Sequence, residues 1–255
     1  MRTIIAAIPA ILGIILCFPY HLYISHVAKK DPQKAYLKAY GLVRRFFSMV
    51  LFLSGCKMTV IGKEKIPRDE AVLFVGNHRG LFDILCCHNA FGVPLAFMSK
   101  DNIKKVPLLT HYMNDMGCTY LDRTDIKKGL ETILQSADVV KSGQSMMIFP
   151  EGTRNKGEEL LPFKDGAYKI AQKAGVKIVP VSICGTDKMM EANKHHLIHG
   201  HKVVIEICDP ISITGITPKE RKAVLETIPG IIQSARDKNL PLTEKRSKFL
   251  GGHKL

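Results

Sequence analysis

The sequence has no tryptophan and few aromatic residues of any kind, which make up 7% of its 255 positions. Proteins that hold single-stranded nucleic acid stack the bases on aromatic rings. The 37 lysines and arginines of this chain are scattered along it rather than interleaved with aromatic residues. We therefore expect no nucleic-acid partner.

A cysteine motif for metal or redox chemistry is also missing, because none of the seven cysteines forms a C-x-x-C pair. Their number is odd, and most of them lie inside apolar runs. This usage is typical of reduced thiols in a protein that faces the cytosol. We expect neither a bound metal nor another cofactor.

Acidic residues are the scarcer charge, with 23 against 37 basic ones and a formal net charge of +14. Such a surface attracts anionic partners, which include nucleic acid, an acidic membrane face and phosphorylated substrates. Composition alone does not choose between the last two.

Charge is absent from residues 3–27, a stretch long enough to span a bilayer core as one helix. Pro9 and Pro19 interrupt it, which favours a kinked or interfacially buried helix over a straight spanning rod. Arg2 and the apolar core also resemble a secretory leader, but no small-x-small cleavage site follows cleanly. We therefore interpret this segment as a retained anchor, and the pattern leaves open whether it spans or only dips into the bilayer.

A second apolar stretch, residues 46–55, follows a basic segment and is joined to the first near residues 29–32. The two predict a membrane-associated helical hairpin over residues 1–56. Each cation of this hairpin would be attracted to anionic headgroups by about 1 kcal/mol near the membrane surface. These cations are Lys34, Lys38, Arg44 and Arg45.

After residue 56 the chain alternates short apolar runs with amphipathic stretches. Buried strands are predicted at AVLFV (71), PLAFM (94), CTYL (118), SMMIFP (145), VKIVPVSI (176) and KVVIEI (202). The clearest helices are 125–141, with apolar residues at helical spacing, and one that begins with the capping box TPKE at Thr217. The pattern predicts an α/β domain over 57–238, with a mixed, largely parallel sheet flanked by helices, and a basic tail over 239–255.

The heptapeptide NHRGLFD places His78 just after a predicted strand and Asp83 five residues later. On a regular helix that separation would turn the two side chains about 140° apart. Gly80 can adopt unusual dihedral angles, so the chain can fold back and bring the carboxylate to the imidazole, which would then act as a base. The alternative is that Asn77 and Asp83 only cap a turn.

No nucleophile accompanies this pair, because the sequence has no G-x-S-x-G elbow. Cys86 and Cys87 lie in an apolar run and are typical of packing residues. A catalytic His78–Asp83 pair would therefore activate a hydroxyl of the substrate, and the group would be transferred directly, without a covalent enzyme intermediate.

A second constellation, FPEGTR at 149–154, also follows a predicted strand. It supplies Glu151, Gly152, Thr153 and Arg154, of which Gly152 lets backbone amides approach a ligand and Arg154 can bind phosphate. Two more strand ends carry Lys100 and Arg123. In such sheets the chemistry lies at the carboxyl ends of the strands, so these residues predict a phosphate pocket beside the base. The alternative is a strand-ending turn with an internal Glu–Arg pair.

The stretch KHHLIHGH at 194–201 brings four histidines together and allows a metal site. No acidic ligand lies among them, although Glu191 is near. We interpret the stretch as a surface loop.

The blocks NHRGLFD, GCTYLDR and FPEGTR, continued by residues 155–183, resemble in order and spacing the glycerolipid acyltransferases, most closely bacterial 1-acyl-sn-glycerol-3-phosphate acyltransferases. The resemblance covers roughly residues 57–210 and implies an enzyme that makes phosphatidic acid in phospholipid synthesis. It implies that His78 deprotonates the sn-2 hydroxyl of lysophosphatidic acid and that Asp83 orients His78. It also implies a glycerol-phosphate site formed by Arg123, Glu151, Gly152, Thr153 and Arg154, to which we add Lys100.

By the same resemblance, residues 178–183 shape the acyl end, and the acyl donor is a thioester of acyl carrier protein or coenzyme A. The expected location is the cytoplasmic face of the cell membrane, because the acceptor and product reside in a bilayer. Two alternatives remain. One is a related acyltransferase that acts on glycerol 3-phosphate or another lysolipid, and the other is a non-catalytic, membrane-bound protein that binds anionic lipid.

Overall fold

The computed structural model describes residues 2–244, which form a seven-stranded sheet covered by helices on both faces. The strands are β1 (Lys57–Ile61), β2 (Leu73–Gly76), β3 (Leu95–Lys100), β4 (Thr119–Leu121), β5 (Ser145–Ile148), β6 (Ile178–Cys184) and β7 (Lys202–Ile207). The helices are α1 (Arg2–Leu16), α2 (Phe18–Ala28), α3 (Pro32–Ser54), α4 (Phe82–Phe91), α5 (Pro107–Asp115), α6 (Ile126–Lys141), α7 (Gly166–Ala174) and α8 (Pro218–Thr243).

The strand order is β1-β7-β6-β2-β5-β3-β4, and all neighbouring pairs are parallel except β6 and β7. The predicted mixed, largely parallel sheet is therefore confirmed. Successive residues of β2 point to opposite faces. Phe74 packs in the core that contains α3 and α4, whereas Leu73 and Val75 pack in the core that contains α6, α7 and α8. Burial on both faces explains why the sequence of this strand is a continuous apolar run.

All six predicted strands are present, but the prediction missed β1. This strand pairs with β7 from Lys57 to Ile61 at the edge of the sheet, and its residues alternate between exposed and half-buried positions over the first part of the strand. An edge strand has only one paired neighbour and a weak apolar pattern. The short KMTVI run therefore carries little signal in the sequence.

Helix α6 begins where it was predicted, with Asp125 as its N-cap accepting from the backbone N–H of Lys128 at 3.1 Å. Its apolar residues do not all face the core, since Ile126 is 94% exposed. Ile133 and Ala137 pack on the sheet. The helix existed as predicted, but helical spacing did not identify which residues are buried.

The capping box of α8 is present, since Thr217 Oγ1 accepts from Glu220 N at 3.3 Å and Glu220 Oε2 accepts from Thr217 N at 2.8 Å. Helix α8 continues through Thr243, so the predicted boundary after residue 238 falls inside a helix. Asn239 and Thr243 are buried there. The rest of the predicted tail, residues 245–255, lies outside the described residues.

The N-terminal segment forms three helices, where the sequence predicted a hairpin of two. Pro9 lies inside α1 without ending it, whereas the chain breaks at Cys17 and resumes with Pro19 in the first turn of α2. Among residues 2–244 no single helix is long and apolar enough to cross a membrane. The bent pair α1 and α2, with 44° between the helices, meets that length and composition together.

The predicted joint at residues 29–32 is confirmed, because α3 starts at Pro32 with Asp31 as its N-cap. The far end of α3 belongs to the α/β domain, since Val50 and Leu51 are buried in the core beside α4. Helices α1 and α2 are held to α5, on the same side of the molecule. Tyr112 donates its hydroxyl to the carbonyl of Ile14 at 2.7 Å, and His21 Nδ1 lies 2.5 Å from Asp115 Oδ2.

Candidate active site

Four parallel strands bring the predicted site residues to one edge of the sheet. Strands β2, β5, β3 and β4 are neighbours in that order, so their carboxyl ends point the same way. His78 follows β2, and Arg154 follows β5, the next strand across the sheet. Lys100 ends β3 and Arg123 follows β4. At about 4.8 Å per strand, the end of β4 lies roughly 14 Å from the end of β2.

The contact expected between His78 and Asp83 is present, with Nδ1 2.7 Å from Oδ2. The same oxygen accepts the backbone N–H of Arg79 at 2.6 Å and that of Gly80 at 2.9 Å. Asp83 is fully buried, whereas the His78 side chain keeps 16% of its surface exposed. Because a carboxylate accepts hydrogen bonds, we assign the ring proton to Nδ1, which leaves a lone pair on Nε2.

The imidazole is also held by an aromatic ring that the sequence analysis did not single out. Phe149 stacks on His78 with centroids 4.2 Å apart and planes inclined by 13°. Phe149 follows β5 directly, so its position depends on β5 lying beside β2. The stacked ring and the Asp83 hydrogen bond together fix the orientation of the imidazole.

Gly80 has a different role from the one predicted. It is not among the glycines of residues 2–244 with positive φ, so the fold-back needs no unusual dihedral angle at this position. Instead, a Cβ on Gly80 would lie 2.3 Å from Oε2 of Glu191. The missing side chain therefore allows the close approach of a carboxylate that comes from another loop.

Glu151, predicted to bind substrate, uses both carboxylate oxygens inside the protein. Oε1 accepts the backbone N–H of His78 at 2.8 Å, and Oε2 accepts Asn155 Nδ2 at 2.8 Å and Leu161 N at 3.0 Å. Glu151 is 4% exposed. In return, Asn155 N donates to the carbonyl of His78 at 2.7 Å. These bonds fasten the loop after β5 to the loop that carries the imidazole.

Arg154 pairs with an acid, but that acid is not Glu151, as the alternative interpretation supposed. Its Nη1 lies 3.3 Å from Oε1 of Glu191, and 46% of the Arg154 side chain is exposed. A second pair joins Arg79 to Asp187 at 2.7 Å. Both acids lie in the loop that follows β6, which the sequence analysis did not connect with the site. In the sequence Glu191 lies just before the histidine-rich stretch at 194–201, far from the FPEGTR motif.

Three further predicted residues are exposed at this edge. Lys100, Arg123 and Thr153 make no side-chain hydrogen bond or ion pair with any part of the chain from residue 2 to 244, so their polar groups are available to a ligand. Gly152 has φ +70°, a conformation that favours glycine, and a Cβ at this position would lie 3.2 Å from the end of the Lys164 side chain. It therefore serves the turn between Glu151 and Arg154.

Two other predictions concern residues beyond this cluster. Residues 178–183 form most of β6, and every one of them is buried in the sheet. The histidine-rich stretch contains a short turn in which His195 and His196 have positive φ and are exposed. Within residues 2–244 no group of three or more His, Cys, Asp or Glu side chains is arranged to hold a metal ion.

Comparison with known proteins gives consistent matches. The family model described as Acyltransferase matches residues 57–184. The chain is 32% identical over 152 residues to the 1-acyl-sn-glycerol-3-phosphate acyltransferase of Borreliella burgdorferi, covering 60% of this chain and 61% of that protein. It is 31% identical over 209 residues to the protein of the same name from Haemophilus influenzae, covering 80% and 82%.

The chain thus spans less than two thirds of some of these relatives, including 51% of a chloroplastic protein of the same name from Brassica napus. A solved structure is also similar, that of the 1-acyl-sn-glycerophosphate (LPA) acyltransferase PlsC from Thermotoga maritima. The TM-score is 0.70 at 25% identity, with 92% of this chain and 98% of that chain covered. Since the family match takes in the strands and loops that carry both His78 and Arg154, this chain belongs to the Acyltransferase family.

Proposed function

We propose that this protein transfers a fatty acyl group from a thioester to the sn-2 hydroxyl of 1-acyl-glycerol-3-phosphate, which gives phosphatidic acid. The observation that carries the proposal is the His78–Asp83 pair, with its Nδ1–Oδ2 distance of 2.7 Å, at the same sheet edge as Arg154. The names of the relatives from Borreliella burgdorferi and Haemophilus influenzae support this choice of acceptor.

In the proposed reaction His78 Nε2 takes the proton of the acceptor hydroxyl while the hydroxyl oxygen attacks the thioester carbonyl carbon. The new C–O bond gives a tetrahedral oxyanion, whose collapse breaks the C–S bond. The imidazolium then returns its proton to the departing thiolate. The buried Asp83 carboxylate stabilises the transient imidazolium, and such a base contributes on the order of 10² to 10⁴ in rate.

The acceptor's phosphate would be held by cations at the carboxyl edge of the sheet. Arg154 lies nearest to the base by strand order, Lys100 is two strands from β2, and Arg123 is three. The family resemblance assigns the site to Arg123, Glu151, Gly152, Thr153 and Arg154, and the internal bonds of Glu151 favour a supporting role for that residue.

We propose that α1 and α2 attach the protein to the cytoplasmic face of the cell membrane. They expose an apolar surface that exceeds what a soluble helix normally shows to water. Its members are Ile4, Ile5, Ile8, Ile11, Leu12, Ile15, Leu16, Tyr20, Leu22 and Tyr23, each more than a third exposed. A membrane site suits a lysophospholipid acceptor, while the thioester donor, acyl carrier protein or coenzyme A, arrives from water.

The test is an activity matrix with the full chain in phospholipid vesicles. Acceptors would be lysophosphatidic acid, glycerol 3-phosphate, a lysophosphatidylcholine and a monoacylglycerol, each with acyl carrier protein and coenzyme A thioesters. We expect phosphatidic acid only from lysophosphatidic acid, and its loss in His78→Ala with unchanged thermal unfolding. Highest turnover with an acceptor that lacks a terminal phosphate would overturn the phosphate assignment. Equal behaviour of the wild type and His78→Ala would favour the non-catalytic lipid binder.

A further inference from the structure

Glu191 places a negatively charged oxygen against two donors that commonly bind phosphate. Its Oε1 accepts the backbone N–H of Leu81 at 2.7 Å and lies 3.3 Å from Arg154 Nη1. Leu81 is the N-cap residue of α4 and ends the loop of residues 77–81 that carries His78, here called the catalytic loop. A helix N-terminus together with a guanidinium is a typical phosphate-binding arrangement.

The second oxygen of Glu191 is poorly accommodated. The side chain is only 10% exposed, and Oε2 is buried with no hydrogen-bond partner among residues 2–244. It also lies where any side chain on Gly80 would be. A buried, unpartnered carboxylate oxygen is costly, so this position stabilises the protein less than a fully bonded ion pair would.

A nearby ion pair, between Arg79 and Asp187, has the hydrogen bonds that Glu191 Oε2 lacks. Asp187 Oδ2 accepts from Arg79 Nη2 at 2.7 Å, with both side chains largely buried, and the same arginine also donates to the carbonyl of Gly157. Asp187 and Glu191 belong to one loop after β6. The Asp187–Arg79 pair can therefore hold that loop on the catalytic loop while the Glu191 side chain moves.

We propose that the Glu191 carboxylate is an internal substitute for the acceptor's phosphate. It occupies the Leu81 N–H and the Arg154 guanidinium in the empty enzyme, and the phosphate of the bound acceptor displaces it. Glu191 thereby sets the acceptor affinity and keeps both donors ordered between turnovers. The inference rests on the proposed function for the identity of the anion.

The consequence is that removing the charge of Glu191 strengthens binding of a phosphate monoester. Glu191→Gln keeps an oxygen for the Leu81 N–H but gives up the ion pair with Arg154. A partly exposed ion pair that competes for a single site changes an apparent affinity by about two- to fivefold. We therefore expect the dissociation constant of glycerol 3-phosphate to fall by that factor in Glu191→Gln.

The experiment is isothermal titration of glycerol 3-phosphate into the full chain in detergent micelles, for the wild type and five variants. Glu191→Gln tests the effect. Glu158→Gln removes the same charge from an exposed residue whose side chain makes no hydrogen bond or ion pair within residues 2–244. Asp187→Asn removes the other acid of the loop. The single variant Arg154→Ala and the double variant with both Arg154→Ala and Glu191→Gln complete a double-mutant cycle.

The expected result is tighter binding in Glu191→Gln alone, and no gain from the same change when Arg154 is already alanine. Unchanged or weaker binding in Glu191→Gln overturns the inference, as does an equal gain in Glu158→Gln. For turnover, the KM for lysophosphatidic acid should fall in Glu191→Gln while the KM for the thioester stays constant. Because the titration needs no acyl transfer, a wild type inactive toward lysophosphatidic acid would refute the proposed function without deciding this inference.

Discussion

The carboxylate of Asp83 reaches back along the chain to the imidazole of His78, with Oδ2 2.7 Å from Nδ1. The same oxygen accepts hydrogen bonds from two backbone N–H groups of the intervening turn, those of Arg79 and Gly80. The turn that brings the pair together is thus closed by the carboxylate itself. Any change at Asp83 alters both the orientation of the imidazole and the shape of the loop.

Asp83→Asn tests the first of these effects. The amide can present its NH₂ group to the imidazole, which then binds with Nδ1 as an acceptor and carries its proton on Nε2, where it is no longer a base. We expect kcat to fall by about 10²- to 10⁴-fold, the contribution of a general base. The measurement is acyl transfer at saturating acceptor, together with thermal unfolding. A kcat within threefold of the wild type, in a protein that is still folded, would contradict an orienting role for Asp83.

Glu151→Gln distinguishes support of the catalytic loop from contact with substrate. The carboxylate accepts from three donors, and a glutamine would turn its NH₂ group toward at least one of them. A buried donor without an acceptor costs about 1–3 kcal/mol, so we expect the free energy of unfolding to fall by that amount.

The measurement for Glu151→Gln is urea unfolding of the wild type and the variant. Glu158→Gln, at an exposed residue of the same loop, is the matched control and should unfold like the wild type. If stability is unchanged in Glu151→Gln but the KM for the acceptor rises, Glu151 contacts substrate, as the sequence analysis predicted.

Gly80→Ala tests the packing of Glu191 against the catalytic turn. A Cβ at this position would lie 2.3 Å from Glu191 Oε2 and would force the carboxylate away from Leu81 and Arg154. We expect a loss of stability of about 1–2 kcal/mol, the value of the displaced hydrogen bond and ion pair. In a Glu191→Ala background the same change should cost much less. Equal costs in both backgrounds, from thermal or urea unfolding, would show that Gly80 is needed for another reason.

His88 should make stability depend on mildly acidic pH. It is buried between Tyr40 and Phe47, and burial lowers the pKa of this imidazole from 6.5 to about 4. The folded state thus binds fewer protons than the unfolded state between these values. The contribution to stability is complete above pH 6.5 and falls as the pH drops toward 4, by up to roughly 3 kcal/mol.

The variant for this effect is His88→Phe, which keeps an aromatic ring in the same packing but has no titratable group. Urea midpoints measured from pH 7 to pH 4.5 should fall less steeply in His88→Phe than in the wild type. His199→Ala, at an exposed histidine, should retain the wild-type slope. Parallel slopes for the wild type and His88→Phe would refute a lowered pKa at His88.

Local patterns in the sequence were enough to predict most of the fold. The apolar run of β2 and the capping box at Thr217 each involve residues within a few positions of one another, and both features are present. The approach of Asp83 to His78 belongs to the same class, because the two residues are only five positions apart. Such features depend on backbone geometry and on burial of neighbouring side chains, which a short stretch of sequence expresses directly.

The sequence by itself therefore determined the strands, the capped helices and the identity of the residues at the strand ends. Only the tertiary structure decided that β5 lies beside β2 and that Phe149 stacks on His78. It also decided that Glu191 accepts a hydrogen bond from the backbone N–H of Leu81, 110 positions away in the sequence. Periodicity reports which side of an element is buried, whereas the order of strands decides which distant side chains meet. For that reason the acid that pairs with Arg154 could not be identified from the motif that contains Arg154.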